Sequence, residues 1–410
     1  MRTTALLLAL LLLLFATSLP GAVAAAPLSS SSRLQDLVNR GEYDQALSET
    51  RKTHELFPYN ETARANLAAL YALIAQREMK QNRYREACGY LEEARSLEPQ
   101  NLSWLLMRGV ALYLAKDYDA ARSELEQAPE NVTALTYLGK ISYDTGDLAT
   151  ALARWQSALA LEPKNAAIKE LAEKATREAA VESRMDKGYS SMFDITFDAE
   201  LPQALSAEVM DALESAYATV GADFELFPQS RVPVILYTRS DYRSVTEGPD
   251  WSGGLYDGKI RLPLGGTNHL TPQLRAVIFH EYTHVLVHEL TRGRAPTWLN
   301  EGLAEVEGRR EFAPPLHALA EARRSNALLG KASLSAPFTS LSGNKVLLAY
   351  QQSYSLVQFM VERYGWYAVR QILKSLGERV PVEKAVARGL QDWSLDLPGV
   401  MQEWQAALSE

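Results

Sequence analysis

The residues with the clearest chemical potential lie in segment 277–286, which reads VIFHEYTHVL and contains the pattern H-E-x-x-H. On a helix, residues four apart project from one face and lie about 6 Å apart along the axis. His280 and His284 can therefore bind a single metal ion through their imidazole nitrogens, and Glu281 can reach a water molecule on that ion. The pattern predicts a catalytic divalent metal, with Zn²⁺ as the expected ion.

A catalytic zinc site has three protein ligands and one open position. Glu301, in the segment WLNEGLAE at 298–305, is the expected third ligand. Glu281 is the expected general base, because it can take a proton from the zinc-activated water and pass it to the leaving amine. The reaction class that follows is hydrolysis of an amide bond.

These residues resemble the gluzincin superfamily of metallopeptidases, in particular the peptidase MA-like domains. The resemblance extends over about residues 190–410 and is most specific at HEYTH (280–284) and WLNEG (298–302). It implies zinc, with Glu301 as the third ligand. The glycine-rich signature that recognises a free substrate amine in aminopeptidase relatives is missing, because GGLY at 253–256 lacks the recognising glutamate. We therefore expect cleavage of internal peptide bonds rather than aminopeptidase activity.

A tyrosine downstream completes the set that the resemblance implies. Relatives carry a tyrosine before an apolar run such as LVQFM at 356–360, and its hydroxyl donates to the oxyanion of the tetrahedral intermediate. Tyr350 is the expected donor and Tyr354, one turn later, is the reserve. The alternative for Tyr350 is a tyrosine that only packs between helices.

Two further ionisable residues flank this set. Glu305 lies one turn after Glu301 and either orients a histidine ligand or is a solvated glutamate. His288 extends the histidine stripe, but it lies about 12 Å along the axis from His280, which is too far to share one ion.

The elements that must position these residues follow from the apolar pattern. Strands are predicted at 192–197 and 232–237, a helix at 205–220, and a hairpin at 253–262 that turns at Asp257-Gly258. Thr271-Pro272 predicts the start of the histidine helix, and a second helix begins near Trp298. The hairpin either offers an edge strand to an extended peptide or only covers the sheet.

The N-terminal half contains a repeated unit. The segments GEYDQA (41–46), NRYREA (82–87), KDYDAA (116–121) and GDLATA (146–151) match one another, and each unit closes near a proline. Such a repeat predicts paired helices stacked in a solenoid. The chain here resembles the tetratricopeptide repeat (TPR) family, most clearly at Leu138-Gly139, Ala151 and Trp155. Residues 164–183 are the expected capping helix.

The repeats predict a concave surface for a peptide or protein partner, and the alternative is a rigid spacer. The net charge of −8, with no basic stripe, argues against a nucleic-acid partner. The one cysteine, Cys88, falls on a packed helix and is expected to be a small core residue.

Residues 1–26 read as a secretory signal peptide, with a positive residue, a Leu-rich run and an A-x-A exit. The alternative is an uncleaved anchor. Without an internal disulfide, the bacterial periplasm or the bacterial exterior is the expected location, with no stable membrane span after cleavage.

The sequence therefore predicts an α+β, mostly α protein with three parts: a signal peptide (1–26), TPR-like repeats with a capping helix (33–183), and a peptidase MA-like zinc metallopeptidase domain (190–410) with a small mixed sheet and a helical C-terminal part. Two other functions remain open. One is a TPR scaffold with a weakly active metal-binding domain, and the other is a zinc amidase that acts on cell-wall material.

Overall fold

A computed structural model describes residues 32–198, 201–246, 254–264 and 266–408. The predicted signal peptide lies outside the described residues. The described chain divides into two compact units, residues 32–179 and residues 180–408. None of the described helices is long and apolar enough to cross a membrane.

The first unit consists of consecutive helices. Their bounds are α1 Ser32–Asn39, α2 Tyr43–Leu56, α3 Glu61–Lys80, α4 Tyr84–Leu97, α5 Leu102–Leu114, α6 Tyr118–Leu125, α7 Val132–Asp144, α8 Leu148–Leu161 and α9 Ala166–Glu182, whose last three residues belong to the second unit.

The repeated sequence motif marks the turn between the two helices of each pair. The first residue of each motif has a positive φ, and these residues are Gly41 (76°), Asn82 (61°), Lys116 (60°) and Gly146 (79°). Glycine and asparagine adopt this left-handed conformation most readily, which explains the residue type at three of these four positions. The first helix of each later pair begins at an asparagine cap, as at Asn60 and Asn131, whose side chains accept from main-chain N–H groups.

Small residues allow the helices of a pair to approach closely. The last alanine of each motif is fully buried, for example Ala46 in the first motif and Ala151 in the fourth. A Cβ at Gly139 would lie 2.4 Å from Nε1 of Trp155, so only glycine fits beneath the indole ring. The ring is fixed there because Nε1 donates to the carbonyl oxygen of Thr136 at 3.0 Å. These contacts give the close helix pairs that the repeat pattern predicts.

The second unit begins with a mixed five-stranded sheet. Its strands are β1 Asp186–Tyr189, β2 Phe193–Phe197, β3 Val232–Tyr237, β4 Leu255–Tyr256 and β5 Ile260–Pro263. The spatial order is β1-β2-β3-β5-β4, in which β2, β3 and β5 are parallel and the two edge strands are antiparallel to their neighbours. β2, β3 and the β4–β5 hairpin correspond to the predicted strands, whereas β1 was not predicted.

Helices cover the sheet and form the rest of the unit. Their bounds are α10 Gln203–Phe224, α11 Arg239–Thr246, α12 Pro272–Thr291, α13 Thr297–Gly308, α14 His317–Arg324, α15 Lys331–Ser335, α16 Asn344–Gly377, α17 Val382–Gly389 and α18 Leu397–Ala407, with short 3₁₀ turns at Phe338–Ser340 and Gln391–Trp393.

Both faces of the central strand β3 are buried. Val234 and Leu236 face the main core with α10 and α12, while Ile235 and Tyr237 pack in a smaller cluster with α11. A strand buried on both faces reads as a continuous apolar run, as VPVILY does. Helix α12 therefore packs on one side against a buried strand of the sheet.

Candidate metal centre

Helix α12 is anchored along most of its surface. The side chain of Thr271 caps its first turn by accepting from the N–H of Leu274, and Pro272 occupies the first helical position. Ile278, Tyr282 and Leu286 are fully buried in the main core. The packing leaves one stripe, with His280 and His284, to face the neighbouring helix.

Two glycines bring α13 close to its neighbours. A Cβ at Gly308 would lie 2.9 Å from the carbonyl oxygen of Ala276 on α12, and one at Gly302 would lie 2.6 Å from the carbonyl oxygen of Ser353 on α16. Helices can approach at these positions only without side chains. Glu301, next to Gly302, is thereby carried up to the histidine stripe.

The three predicted ligands come together. Nε2 of His280 lies 3.5 Å from Oε2 of Glu301, and Nε2 of His284 lies 3.6 Å from the same oxygen. All three ligand atoms lie within 4.8 Å of one another, and no other group of His, Cys, Asp and Glu among the described residues has this arrangement. Bonds of about 2.0–2.1 Å to a tetrahedral ion separate its ligands by about 3.3 Å. The donor set and the two distances to Glu301 therefore fit a tetrahedral zinc ion.

Each of the two histidines has a polar partner on its other ring nitrogen. Oδ1 of Asn300 lies 3.1 Å from Nδ1 of His284, and Oε1 of Glu305 lies 3.5 Å from Nδ1 of His280. Arg309 holds Glu305 in turn, with Nε 3.0 Å from Oε2. Acceptors at Nδ1 keep the proton there and leave Nε2 free to bind a metal. The sequence left open whether Glu305 orients a histidine or is solvated, and the contact with His280 favours the first. The contact of Asn300 with His284 was not predicted, although Asn300 adjoins Glu301 in the sequence.

The charges around the histidines favour a cation. Burial opposes protonation of His280, but the carboxylates of Glu301, Glu281 and Glu305 raise its pKa to about 9. Burial lowers the pKa of His284 to about 4, against the attraction of Glu301. The pKa of Glu301 is lowered: burial opposes this shift, but the two histidines outweigh it. The carboxylates around His280 therefore favour positive charge at this position.

Glu281 is a buried carboxyl group with 5% of its surface exposed. Burial, together with the carboxylates of Glu301 and Asp257, raises its pKa to about 7, and His280 opposes this shift. Its Oε2 atom is buried and has no hydrogen-bond partner among the described residues. A buried polar atom without a partner is unusual in a structural role and suits a group that exchanges protons with a substrate.

Tyr350 and Tyr354 lie in different environments. The pKa of Tyr350 is raised strongly by burial and then by the carboxylates of Glu301, Glu281 and Glu305, so its hydroxyl stays protonated and lies within electrostatic reach of the centre. Phe338 packs edge-on against its ring at 5.2 Å. The ring of Tyr354 instead lies under the guanidinium of Arg309, at 4.4 Å.

The other histidines of the second unit lie outside the three-ligand group. His288 stacks edge-on against Tyr256 of β4, with ring centroids 6.0 Å apart. His269 pairs with Glu208 at an exposed position.

Comparisons with known proteins agree with this organisation. Residues 214–410 match the Peptidase MA superfamily model, and residues 72–134 match a tetratricopeptide repeat model. No curated protein matches the chain significantly. Among solved structures, a thermophilic TPR protein of Thermus thermophilus is similar at 21% identity and a TM-score of 0.26, over 35% of this chain and 77% of that chain.

The family matches also confirm the predicted order of the two parts and the mostly helical α+β class. The paired helices of residues 32–179 and the family match over residues 72–134 both indicate a tetratricopeptide repeat region. The chain is thus similar to the Peptidase MA superfamily over residues 214–410 and to tetratricopeptide repeats over residues 72–134, which supports a peptidase-like protein with a repeat region.

Proposed function

We propose that the protein is an exported zinc-dependent metallopeptidase that hydrolyses internal peptide bonds. The observation that carries the proposal is the grouping of His280, His284 and Glu301, in which both imidazole Nε2 atoms lie 3.5–3.6 Å from Oε2 of Glu301. The buried carboxyl of Glu281 follows His280 on the same helix. When bound, zinc supplies a Lewis acid that polarises the scissile carbonyl and acidifies water from a pKa of about 15.7 to about 7.

The protein's own residues move the protons and stabilise the charge. Glu281 accepts the proton of the attacking water on Oε2, the oxygen without a partner, and passes it to the leaving amine nitrogen. Its raised pKa of about 7 suits both the uptake and the release of a proton near neutral pH. Tyr350, a protonated donor, stabilises the oxyanion.

The sheet edge supports an extended peptide as the substrate. β4 pairs with β5 on one side and ends the sheet order of the described strands. An extended chain can add to such an edge by main-chain hydrogen bonds without a free terminus. This supports endopeptidase activity, in agreement with the missing glutamate of the glycine-rich signature at 253–256.

The repeat region is proposed to bind the substrate or a partner protein, because solenoids usually present their inner face to a ligand. Export is supported by the signal-peptide pattern of residues 1–26, which lie outside the described residues.

The test compares the wild-type protein with Glu281→Gln on a mixed peptide library. The variant should lose activity by a factor of about 10²–10⁴, because glutamine cannot act as the base. It should keep its metal, because residue 281 is not one of the proposed ligands. Metal content is measured in parallel. Wild-type protein that binds zinc but cleaves nothing would support a scaffold instead.

A second assay separates peptides from cell-wall material. Casein and soluble peptidoglycan fragments are offered to the same preparation. Cleavage of casein alone supports the metallopeptidase, whereas release of amide-linked sugars or stem peptides alone would support a zinc amidase.

A further inference from the structure

Gly254, the residue just before strand β4, lies directly against Glu281, the proposed general base. A Cβ built on Gly254 would lie 2.7 Å from Oε1 of Glu281, 2.8 Å from its Cγ and 3.0 Å from its Cδ. Separations of this size are shorter than van der Waals contact. Any side chain at position 254 must therefore displace the carboxyl group or the strand.

Strand alternation explains why the contact falls here. Leu255 packs in the smaller cluster on one face of the sheet, and Tyr256 packs against the main core on the other. Successive side chains alternate between the faces, so position 254 faces the same way as Tyr256, toward α12. The missing side chain of Gly254 leaves a gap in that layer, and Glu281 fills it.

Contacts on the C-terminal side of Gly254 hold the hairpin, so the strand cannot easily move away from α12. Tyr256 stacks against His288, two turns after Glu281 on α12. At the turn, Asp257 Oδ1 lies 3.1 Å from Nε of Arg261. Arg261 is 1% exposed, and its Nη1 lies 3.0 Å from Oε1 of Glu182.

We propose that Gly254 is a positioning residue that fixes the carboxyl group of Glu281 for proton transfer. The carboxyl group occupies the space that the side chain of any other residue at position 254 would fill. The proposal rests on the proposed peptidase function for its catalytic consequence. Oε1 lies 2.7 Å from the position that a Cβ of residue 254 would take, and Oε2 is the buried oxygen without a partner in the described part of the chain, so Oε2 is the oxygen assigned to proton exchange. No other residue type provides the space.

The first test is kinetic. Gly254→Ala should lower kcat by about 10²-fold with KM within about 3-fold, because a displacement of about 1 Å at a reacting group has effects of this size. Zinc content should stay at the wild-type level. Gly330→Ala is the matched control, since a Cβ there meets nothing within 4 Å, and it should keep wild-type kcat.

The second test needs no activity. In the full chain treated with chelator, Gly254→Ala should lower Tm by about 3–8 °C, the range expected for overpacking in a unit of this size. In a Glu281→Ala background the same change should cost less than about 1 °C, because the Cβ enters the vacated space. A purely structural role in the strand would lower Tm equally in both backgrounds.

The outcomes separate this proposal from the function on which it rests. Wild-type kcat in Gly254→Ala, or an equal loss of Tm with and without the Glu281 side chain, would overturn the role of Gly254. Absence of peptidase activity in the wild-type protein would overturn the proposed function, while the thermal comparison would still decide whether Gly254 fixes Glu281.

Discussion

Asn300 and Glu305 each face the Nδ1 atom of one histidine, and both lie on α13 near Glu301. In metal sites, contacts of this kind fix the tautomer and the ring orientation that metal binding requires. Loss of such a partner typically costs a factor of 10–100 in metal affinity.

We expect Asn300→Ala and Glu305→Ala each to weaken zinc affinity by about 10–100-fold without loss of fold. Competition with a fluorescent chelator gives the affinity. Glu321→Ala, at an exposed position on α14, is the control and should keep the wild-type value. Unchanged affinity in both α13 variants would show that these contacts do not support the ligands.

Tyr350→Phe should lower kcat by about 10²–10³-fold, with a smaller change in KM, because it removes a donor to the oxyanion and leaves the ring packing intact. Tyr354→Phe should change kcat less than about 3-fold, since that ring lies under Arg309 rather than beside the carboxylates. Steady-state kinetics on one peptide decide the matter. The reverse order of effects would reassign the donor to Tyr354.

At this scale the sequence predicted the residues with a fixed spacing on one helix or a strong motif context. The candidate ligands and Glu281 belong to this group, and the structure brings them together. The contacts of Asn300 and Gly254 are non-local, because each depends on how a second element packs against α12. No pattern within either segment alone distinguishes these contacts from a loop asparagine or a hairpin glycine.

At the scale of elements, a sequence pattern predicts the end of a helix or strand when a residue at that position causes it. α16 spans Asn344–Gly377 with a break at Gly365, whose φ of 79° interrupts the helix. Strand β1 was missed because its residues DKGY lack apolar alternation and are mostly exposed. Its pairing with β2 forms the strand, and such pairing is a property of the sheet.

Glu307 on α13 gives a pH-dependent prediction. It is fully buried, with Nε of Arg310 2.9 Å from Oε2, and burial raises its pKa to about 7 although Arg310 opposes the shift. The pKa is higher in the folded than in the unfolded state. Stability from this group is therefore complete below about pH 4.5 and is lost as pH rises through about 7.

Glu307→Gln should consequently gain stability relative to the wild type as pH rises. We expect the difference in free energy of unfolding to grow by about 1–3 kcal/mol between pH 5 and pH 8. Urea titrations at both pH values measure it. A difference that is constant with pH, or that shrinks toward pH 8, would show that Glu307 ionises as an ordinary glutamate.

For the whole molecule, the two units can be perturbed separately. Gly139→Ala should lower the free energy of unfolding of the repeat unit by about 1–3 kcal/mol, because its Cβ would overlap the Trp155 indole. Cleavage of a short peptide should stay at the wild-type rate, since the candidate metal centre lies within residues 180–408. Gly89→Ala, whose Cβ meets nothing within 4 Å, is the control. Lost peptide cleavage in Gly139→Ala would show that the units do not act independently.

The whole-molecule architecture was the most predictable level. Repeats and an H-E-x-x-H helix are strong signals, because each repeat reuses one local turn and the histidine spacing reports a helix directly. The mixed order of the sheet depends on long-range pairing and could not be predicted from strand patterns.

Metal analysis of the purified full chain shows whether His280, His284 and Glu301 hold one zinc ion. We expect about one zinc per chain in the wild type and in Glu281→Gln, strongly reduced zinc in His280→Ala and Glu301→Ala, and peptide cleavage that stops on chelation and returns with zinc. Wild-type protein without stoichiometric metal, or equal metal content in the ligand variants, would contradict this expectation.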